Sequence, residues 1–282
     1  MTGRPLVDLL RCPICVGAFG GDVRGTIRCG NGHAYDANRR GYLTLFPAKR
    51  PKVRGDTAEM LAARDRVLET PPFRSLRDAV AEAAAADAPE GAVLVDLGCG
   101  TGQYATTALE RIAVPSTALL ADLSPDAVRT AVRRTRDGAP ATEVLGVVLD
   151  LWSPLPVATS GVDRVLNVFA PRNLPEFARV LAPGGRLVTV IPSDHHLSEL
   201  RAAGAVIDVR GGKREAVLAD AAAAGLRLLD ASRFDGALDG GDPAVVDLVA
   251  MGPSAHHASA GTDPVVGRVT VSVDVLVFAS GD

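Results

Sequence analysis

The sequence predicts a doubly wound α/β fold with a small cysteine-rich module in front of it. Three observations predict it. From Val93 onward, short apolar runs alternate with stretches of helical length. One of these runs passes directly into a glycine-rich turn, and three successive runs end in an acid, Asp96, Asp122 and Asp150. Alternating β and α units of this length build a mostly parallel sheet with helices on both faces.

The chain opens with Cys12-Pro13-Ile14-Cys15, then Cys29-Gly30-Asn31-Gly32-His33. Thirteen residues separate Cys15 from Cys29, and three separate Cys29 from His33. Two such knuckles close a tetrahedron of thiolate and imidazole ligands around Zn²⁺, and the stretch between them reads as a short hairpin with glycine turns. All four positions are filled by protein, so Cys12, Cys15, Cys29 and His33 predict a structural site, not a catalytic one. Zinc then supplies folding energy that so small a unit cannot draw from its own core.

A basic run follows, Lys49-Arg50-Pro51-Lys52-Val53-Arg54, with aromatic residues just upstream. It reads as a phosphate contact or equally as a solvated linker. Residues 57–68 are predicted as a helix capped by Thr57 or Asp56, with Pro71-Pro72 ending it. A second, alanine-rich helix is predicted from Phe73 to Ala86.

The sheet begins with a strand at Leu94–Leu97 and continues with Ala118–Asp122, Val144–Asp150, Val162–Val168 and Arg186–Ile191. Pro125–Arg136 is a helix with Ser124 as its cap and Pro125 at its first position. Leu174–Leu181 and Glu215–Ala224 are further helices, and Pro183-Gly184-Gly185 is a turn. Leu226–Arg233 and Val269–Phe278 read as the last strands, and Gly236–Gly267 is the least readable part. The predicted division is a zinc-binding module at 1–46, a basic linker with helices at 47–90, and a cofactor-binding domain at 91–282.

The 282 residues carry a net charge of only −3, so nucleic-acid binding must come from a local patch. No apolar run reaches the length of a membrane span, and the N-terminus lacks a signal-peptide pattern; a cytoplasmic protein without membrane attachment is expected. Three of the four cysteines lie before residue 30, which favours metal over disulfide in such a protein.

The chemistry concentrates at the sheet's carboxyl edge, where α/β folds bind ligands. Asp96-Leu97-Gly98-Cys99-Gly100-Thr101-Gly102 has Gln103 where a dinucleotide fingerprint needs glycine. Its D-x-G-x-G-x-G form resembles the first motif of S-adenosylmethionine-dependent methyltransferases. Gly98, Gly100 and Gly102 let the backbone turn tightly against a ligand. In that setting Asp96 orients the loop and the methionine ammonium, Asp122 bonds ribose hydroxyls, and Asp150 reaches the adenine amino group. Each acid alone reads equally as a helix cap. After the fourth strand, Asn167-Val168-Phe169-Ala170-Pro171-Arg172-Asn173 stands where the methyl acceptor is presented. Asn167 can accept from a planar N–H while Phe169 and Pro171 pack on a base, or Pro171 and Asn173 simply break the strand and cap a helix. His195-His196 reads as a cover for the cofactor, as a base, or as an exposed loop pair.

Taken in order, C-P-x-C, C-x-x-x-H, D-x-x-x-x-G-Y-x-x-L at Asp36–Leu45, G-D-x-x-x-M-x-x-A-R at Gly55–Arg64, the glycine loop, Asn167–Asn173 and H-L-x-E-L at His196–Leu200 form one pattern. It resembles the bacterial 23S rRNA (guanine-N1)-methyltransferases of the RlmA type, over nearly the whole chain. The Asn167–Asn173 sequence and Asp150-Leu151-Trp152 are similar to the branch that confers tylosin and mycinamycin resistance. The resemblance implies a Rossmann-like class I methyltransferase fold, the four zinc ligands named above, and cofactor contacts at Phe73, Gln103, Tyr104 and His196. The family usually has Tyr where this chain has Phe73. It further implies a homodimer whose zinc modules help form a cleft for 23S rRNA. Two other readings stand beside it: a small-molecule methyltransferase of a biosynthetic pathway, and a non-catalytic zinc-ribbon RNA-binding protein. The intact glycine loop speaks against the second.

Overall fold

A computed structural model describes residues 5–47, 55–206, 211–252 and 266–281. The basic run at 49–54 and the His256-His257 pair lie outside the described residues.

Three short strands, β1 (Phe19–Gly21), β2 (Thr26–Cys29) and β3 (Ala34–Asp36), form an antiparallel sheet in the N-terminal module. A fourth strand, β4 (Tyr42–Thr44), leaves that module and joins the main sheet. Helices α1 (Ala58–Leu68) and α2 (Pro71–Ala85) follow. Thr57 caps α1 by accepting the Met60 N–H. Pro71-Pro72 does not end α1 as expected. The pair opens α2, where a missing N–H costs nothing.

The rest of the chain alternates β5 (Val93–Leu97), α3 (Gln103–Arg111), β6 (Ser116–Asp122), α4 (Pro125–Gly138), β7 (Thr142–Val148), β8 (Val162–Val168), α5 (Leu174–Val180) and β9 (Leu181–Pro192). It closes with α6 (Ser198–Ala202), α7 (Lys213–Ala223), β10 (Leu226–Asp239), α8 (Ala244–Ala250) and β11 (Arg268–Ser280). The expected turn at Pro183-Gly184-Gly185 lies within β9, as an irregularity opposite Val162–Arg164. The tail of β10 and α8 fill part of the stretch that gave no sequence signal.

Among the described residues the main sheet has eight strands in the order β10-β11-β9-β8-β5-β6-β7-β4. Strands β4 to β9 run parallel, and β11 is antiparallel to both its neighbours. The chain winds from β5 outward through β6 to β7, then crosses back to β8 and β9. The order reverses at β5, so a crevice opens at its carboxyl end.

Side chains alternate across the sheet. Leu94, Ala118, Leu120 and Leu166 face a core completed by α1–α4, α6 and α8. Val93, Val95, Leu97, Leu119 and Val165 face a second core completed by α5, α7 and the N-terminal module. No helix connects β7 to β8; the module packs in that place. Arg11 N–H donates to Pro156 O at 2.9 Å, Ala158 N–H to Leu9 O at 2.8 Å, and Leu6, Leu9, Leu10 and Ile27 enter the second core. One wholly buried cation, Arg164, donates from Nε and Nη2 to the carbonyls of Ala84 and Ala86, satisfying the last turn of α2.

Candidate active site and metal centre

The hairpin β1–β2 and the turn before β3 bring the four predicted zinc ligands together. Cys12 Sγ, Cys15 Sγ, Cys29 Sγ and His33 Nδ1 lie within 4.8 Å of one another. Cys12–His33 is 3.5 Å, Cys15–Cys29 is 3.7 Å and Cys29–His33 is 3.4 Å. A zinc tetrahedron with bonds of about 2.1–2.3 Å has edges of about 3.5–3.8 Å, so these contacts are edges of a coordination shell, not thiol hydrogen bonds. None of the four cysteines is in a disulfide. The Gly17 amide, first among several donors, pulls the Cys15 thiol down to about 6, toward the thiolate that binds metal. Zinc fits this donor set and holds the two knuckles together.

At the end of β5 the glycine loop turns beneath the crevice. Gly98 N–H and Cys99 N–H both donate to Ala121 O, which ties the loop to β6. At Gly98 φ is +91°, and a Cβ there would lie 2.3 Å from Ala170 Cβ; at Gly102 φ is +82°, and a Cβ would strike Ala131 of α4. Glycine is thus required for the glycine loop to lie flat between α4 and the loop after β8, residues 169–173, the expected acceptor loop.

Asp96 is 2 % exposed, and burial, with the charge of Asp122 second, pushes its carboxyl up to about 8. Asp122 accepts the Gly100 N–H at 3.0 Å and the Ser124 N–H at 2.9 Å, and burial raises its pKa as well. Two hydroxyls beside the loop, Thr101 Oγ1 and Tyr104 Oη, are buried without a hydrogen-bond partner among the described residues. A buried acid, a half-buried acid and two orphaned hydroxyls around a glycine turn form a cradle for a polar, cationic ligand. S-adenosylmethionine, with its ammonium and ribose, fits it.

A residue with little signal of its own in the sequence completes the crevice. Arg64 of α1 pairs with Asp56 at 2.5 Å and would lie 3.3 Å from a Cβ on Gly100. Its positive charge acts on Asp122, Cys99 and Tyr104. The only sequence signal for it was the closing A-R of the Gly55–Arg64 motif.

Several predicted contacts stand elsewhere than expected. Phe73 is 1 % exposed and packs in the first core with Leu76 and Val80, so its ring is floor, not ligand contact. Gln103 spends its amide on Arg77 and Asp65, and Arg134 links that Asp65 to Thr101 O. It braces the loop from behind, beside a cleft of about 440 Å³ whose lining includes none of the three strand-end acids. Asp150 gives its oxygens to Trp152 N–H and Ser153 Oγ, closing the turn after β7.

The acceptor loop is also rearranged. Asn167 is wholly buried, and its Nδ2 donates to Leu97 O at 2.9 Å and Pro171 O at 3.0 Å. It cannot reach a base; it clamps the acceptor loop to the end of β5. Phe169 adopts a left-handed φ of +53° and is 39 % exposed. Its ring stacks on His196 with centroids 5.8 Å apart. His196 Nδ1 accepts the Ser272 N–H, and burial, then Arg201 and Lys213, lowers its pKa to about 4. A neutral imidazole that accepts at Nδ1 carries its proton on Nε2, so at neutral pH His196 is a donor and not a general base. Pro171 lies exposed on the same loop.

A family model described as "Methyltransferase domain" matches residues 94–185, and one described as "RlmA, N-terminal", a zinc ribbon, matches residues 10–54. The chain is similar to the 23S rRNA (guanine(748)-N(1))-methyltransferase of Streptomyces fradiae, 38% identical over 89% of this chain and 87% of that one. It is similar also to a Micromonospora griseorubida protein provisionally named a 23S rRNA (guanine-N(1)-)-methyltransferase, 37% identical over 96% of this chain and 92% of that one. Among solved structures, the N-methyltransferase NodS from Bradyrhizobium japonicum, in complex with S-adenosyl-L-homocysteine, superposes with a TM-score of 0.51 at 14% identity. That superposition covers 80% of this chain and 100% of NodS, and it shows a shared fold alone.

Proposed function

The chain belongs to the family of 23S rRNA (guanine-N1)-methyltransferases, and on that premise we propose how its residues act and on what. It methylates N1 of a guanine in 23S rRNA, and we infer that this guanine lies in a hairpin loop. The observation that carries the site reading is buried Asp96 beside half-buried Asp122 under the glycine loop, with Asn167 tying the Leu97 carbonyl at the end of β5 to the Pro171 carbonyl of the acceptor loop.

Bound S-adenosylmethionine supplies a methyl group already activated on a sulfonium. Asp96 would hold the ammonium, Arg64 the carboxylate, and the remaining lone pairs of Asp122 the ribose hydroxyls. Phe169 and His196 form an aromatic ledge beside the loop on which a splayed guanine packs. Asn167 sets the height of that ledge relative to β5. The N1 proton leaves to solvent, since His196 is not basic enough to take it at neutral pH. Most of the rate then comes from alignment of base and methyl donor.

Resistance to tylosin- and mycinamycin-type macrolides is the proposed biological outcome, supported by the resemblance of Asn167–Asn173 and Asp150–Trp152 to that branch. A homodimer is the arrangement the resemblance implies, and the sequence pattern points to the cytoplasm; among the described residues no helix is long and apolar enough to cross a membrane.

Primer extension on 23S rRNA from cells with and without the gene tests the reading. Methylation at N1 blocks Watson–Crick pairing, so a gene-dependent stop one nucleotide before a guanine is expected. Absence of any such stop, with folded protein present, overturns it.

A further inference from the structure

Next to the acceptor loop, but outside the cofactor crevice, lies a cleft of about 580 Å³. Its walls include Trp152, Pro171, Arg172, Lys213 and Asp220, over an apolar floor at Val217. That volume lies within the range of sites for small ligands. Trp152 is 67 % exposed, although an indole of this size is normally covered. Arg172 and Lys213 are both half-buried, and among the described residues neither is in an ion pair. Arg172 donates to Ala170 O at 3.3 Å.

Two cations facing one cleft repel each other. Burial lowers the pKa of both, and Arg172 lowers that of Lys213 further, while Asp220 offsets only Arg172. An anion seated between them relieves that repulsion; a flat hydrophobic face alongside calls for an aromatic ring. Phosphate and nucleobase together describe a nucleotide of single-stranded RNA. Pro171 joins this cleft to the ledge at Phe169, two residues away in the chain, so the occupant is a neighbour of the methylated base.

We propose that this cleft holds the nucleotide flanking the target guanine, its base stacked on Trp152 and its phosphate between Arg172 and Lys213. The inference rests on the rRNA reading above and names how that substrate is gripped.

Trp152 is the chain's one tryptophan, so intrinsic fluorescence reports on this cleft directly. With full-length, zinc-loaded protein, a 23S rRNA hairpin containing the methylated guanine should quench the emission; S-adenosylmethionine alone should not. Trp152→Ala should raise the KM for that hairpin by roughly 5- to 150-fold, the loss expected for one base–aromatic stack, with kcat and cofactor affinity held within about twofold. Trp152→Phe should restore most of the lost affinity, since a phenyl ring still stacks. Arg172→Ala with Lys213→Ala should reduce the salt slope of RNA binding by about 0.7 for each phosphate no longer neutralised. Wild-type protein that methylates the hairpin while Trp152 stays unquenched, or Trp152→Ala with an unchanged KM, overturns the cleft assignment alone. Quenching by S-adenosylmethionine without RNA also overturns it. A wild-type enzyme that leaves the RNA unmethylated would sink the parent reading instead.

Discussion

The zinc knuckles and the glycine-loop crevice are both clusters of polar groups shaped for a charged guest, and they are built in opposite ways. The knuckles draw all four ligands from Cys12 to His33, and two tight turns suffice to bring the atoms within 4.8 Å. The crevice draws Arg64, Asp96 and Asp122 from α1, β5 and β6 and His196 from the turn after β9, and only the winding of the sheet brings them to one edge. A cluster made locally can be displaced from its surroundings without losing its shape. A cluster made by the fold cannot. Packing nevertheless ties the two together, because Leu9, Leu10 and Ile27 put the knuckle module into the same core as β5, β6 and β8.

The strongest test therefore asks whether the local site is locally contained. Cys29→Ser should remove the zinc and, through the shared core, lower the melting temperature of the whole chain by more than about 10 °C. Structural zinc contributes on the order of 10 kcal/mol, and domains of this size lose about 2–4 °C per kcal/mol. Metal analysis with thermal circular dichroism checks it. Loss of zinc with an unchanged main transition would show the module to be independent of the sheet.

Next in size is the clamp between the two loops. Asn167→Ala leaves the buried carbonyl of Leu97 and the part-buried carbonyl of Pro171 without this donor. It should destabilise the protein by about 2–4 kcal/mol and collapse kcat far more than it weakens RNA binding. Denaturant unfolding and steady-state kinetics on one preparation separate the two effects. If stability is unaffected, Asn167 is not the clamp.

The crevice should also respond to pH, which the zinc-bound knuckles should not over the same range. The Asp96 carboxyl titrates near 4 in the unfolded chain and about 8 in the folded, cofactor-free protein. The folded state thus retains a proton that the unfolded state has lost, and stability falls as pH rises from about 4 to about 8. An ammonium partner requires the carboxylate, so cofactor binding releases this proton. Affinity for S-adenosylmethionine should rise by up to about tenfold per pH unit between pH 6 and 7. Calorimetry in buffers of different ionisation enthalpy measures the proton directly. A pH-independent affinity, or a slope that survives Asp96→Asn, rules the assignment out.

The smallest effect has the opposite sign. Val16 sits in the first knuckle with a φ of +60° and 70 % exposure. A β-branched residue there is strained, so Val16→Gly should stabilise the zinc-loaded protein by about 1 kcal/mol. A lower melting temperature would mean that the exposed isopropyl group is held by something beyond this turn.

Much of the site was legible because its signals are local. The spacing of Cys12, Cys15, Cys29 and His33 dictates a tetrahedral ligand set, and the pattern from Val93 to Gly102 dictates a buried strand turning into a helix. What was not legible depended on neighbours distant in sequence. Asn167 looks like a base contact until Leu97 and Pro171 close on its amide. Phe73 reads as a ligand contact until α2 turns it inward among Leu76 and Val80. Arg64 is marked only as the close of the Gly55–Arg64 motif, because an arginine on a helix acquires a role only when α1 lies over Gly100.

The sequence by itself determined the alternating α/β pattern, the zinc ligands, the glycine loop and the acids at the strand ends. Each follows from spacing along the chain, from turn chemistry or from burial pattern, and these are properties of neighbouring residues. Tertiary structure alone decided that β4 completes the sheet, that the zinc module stands where a helix is missing between β7 and β8, and which polar groups remain available to ligands. The physical reason is that a polar side chain has only a few hydrogen-bonding positions. Whether they are spent on the protein, as in Asn167 and Gln103, or left without a protein partner among the described residues, as in Tyr104, is settled by packing between residues far apart in the chain.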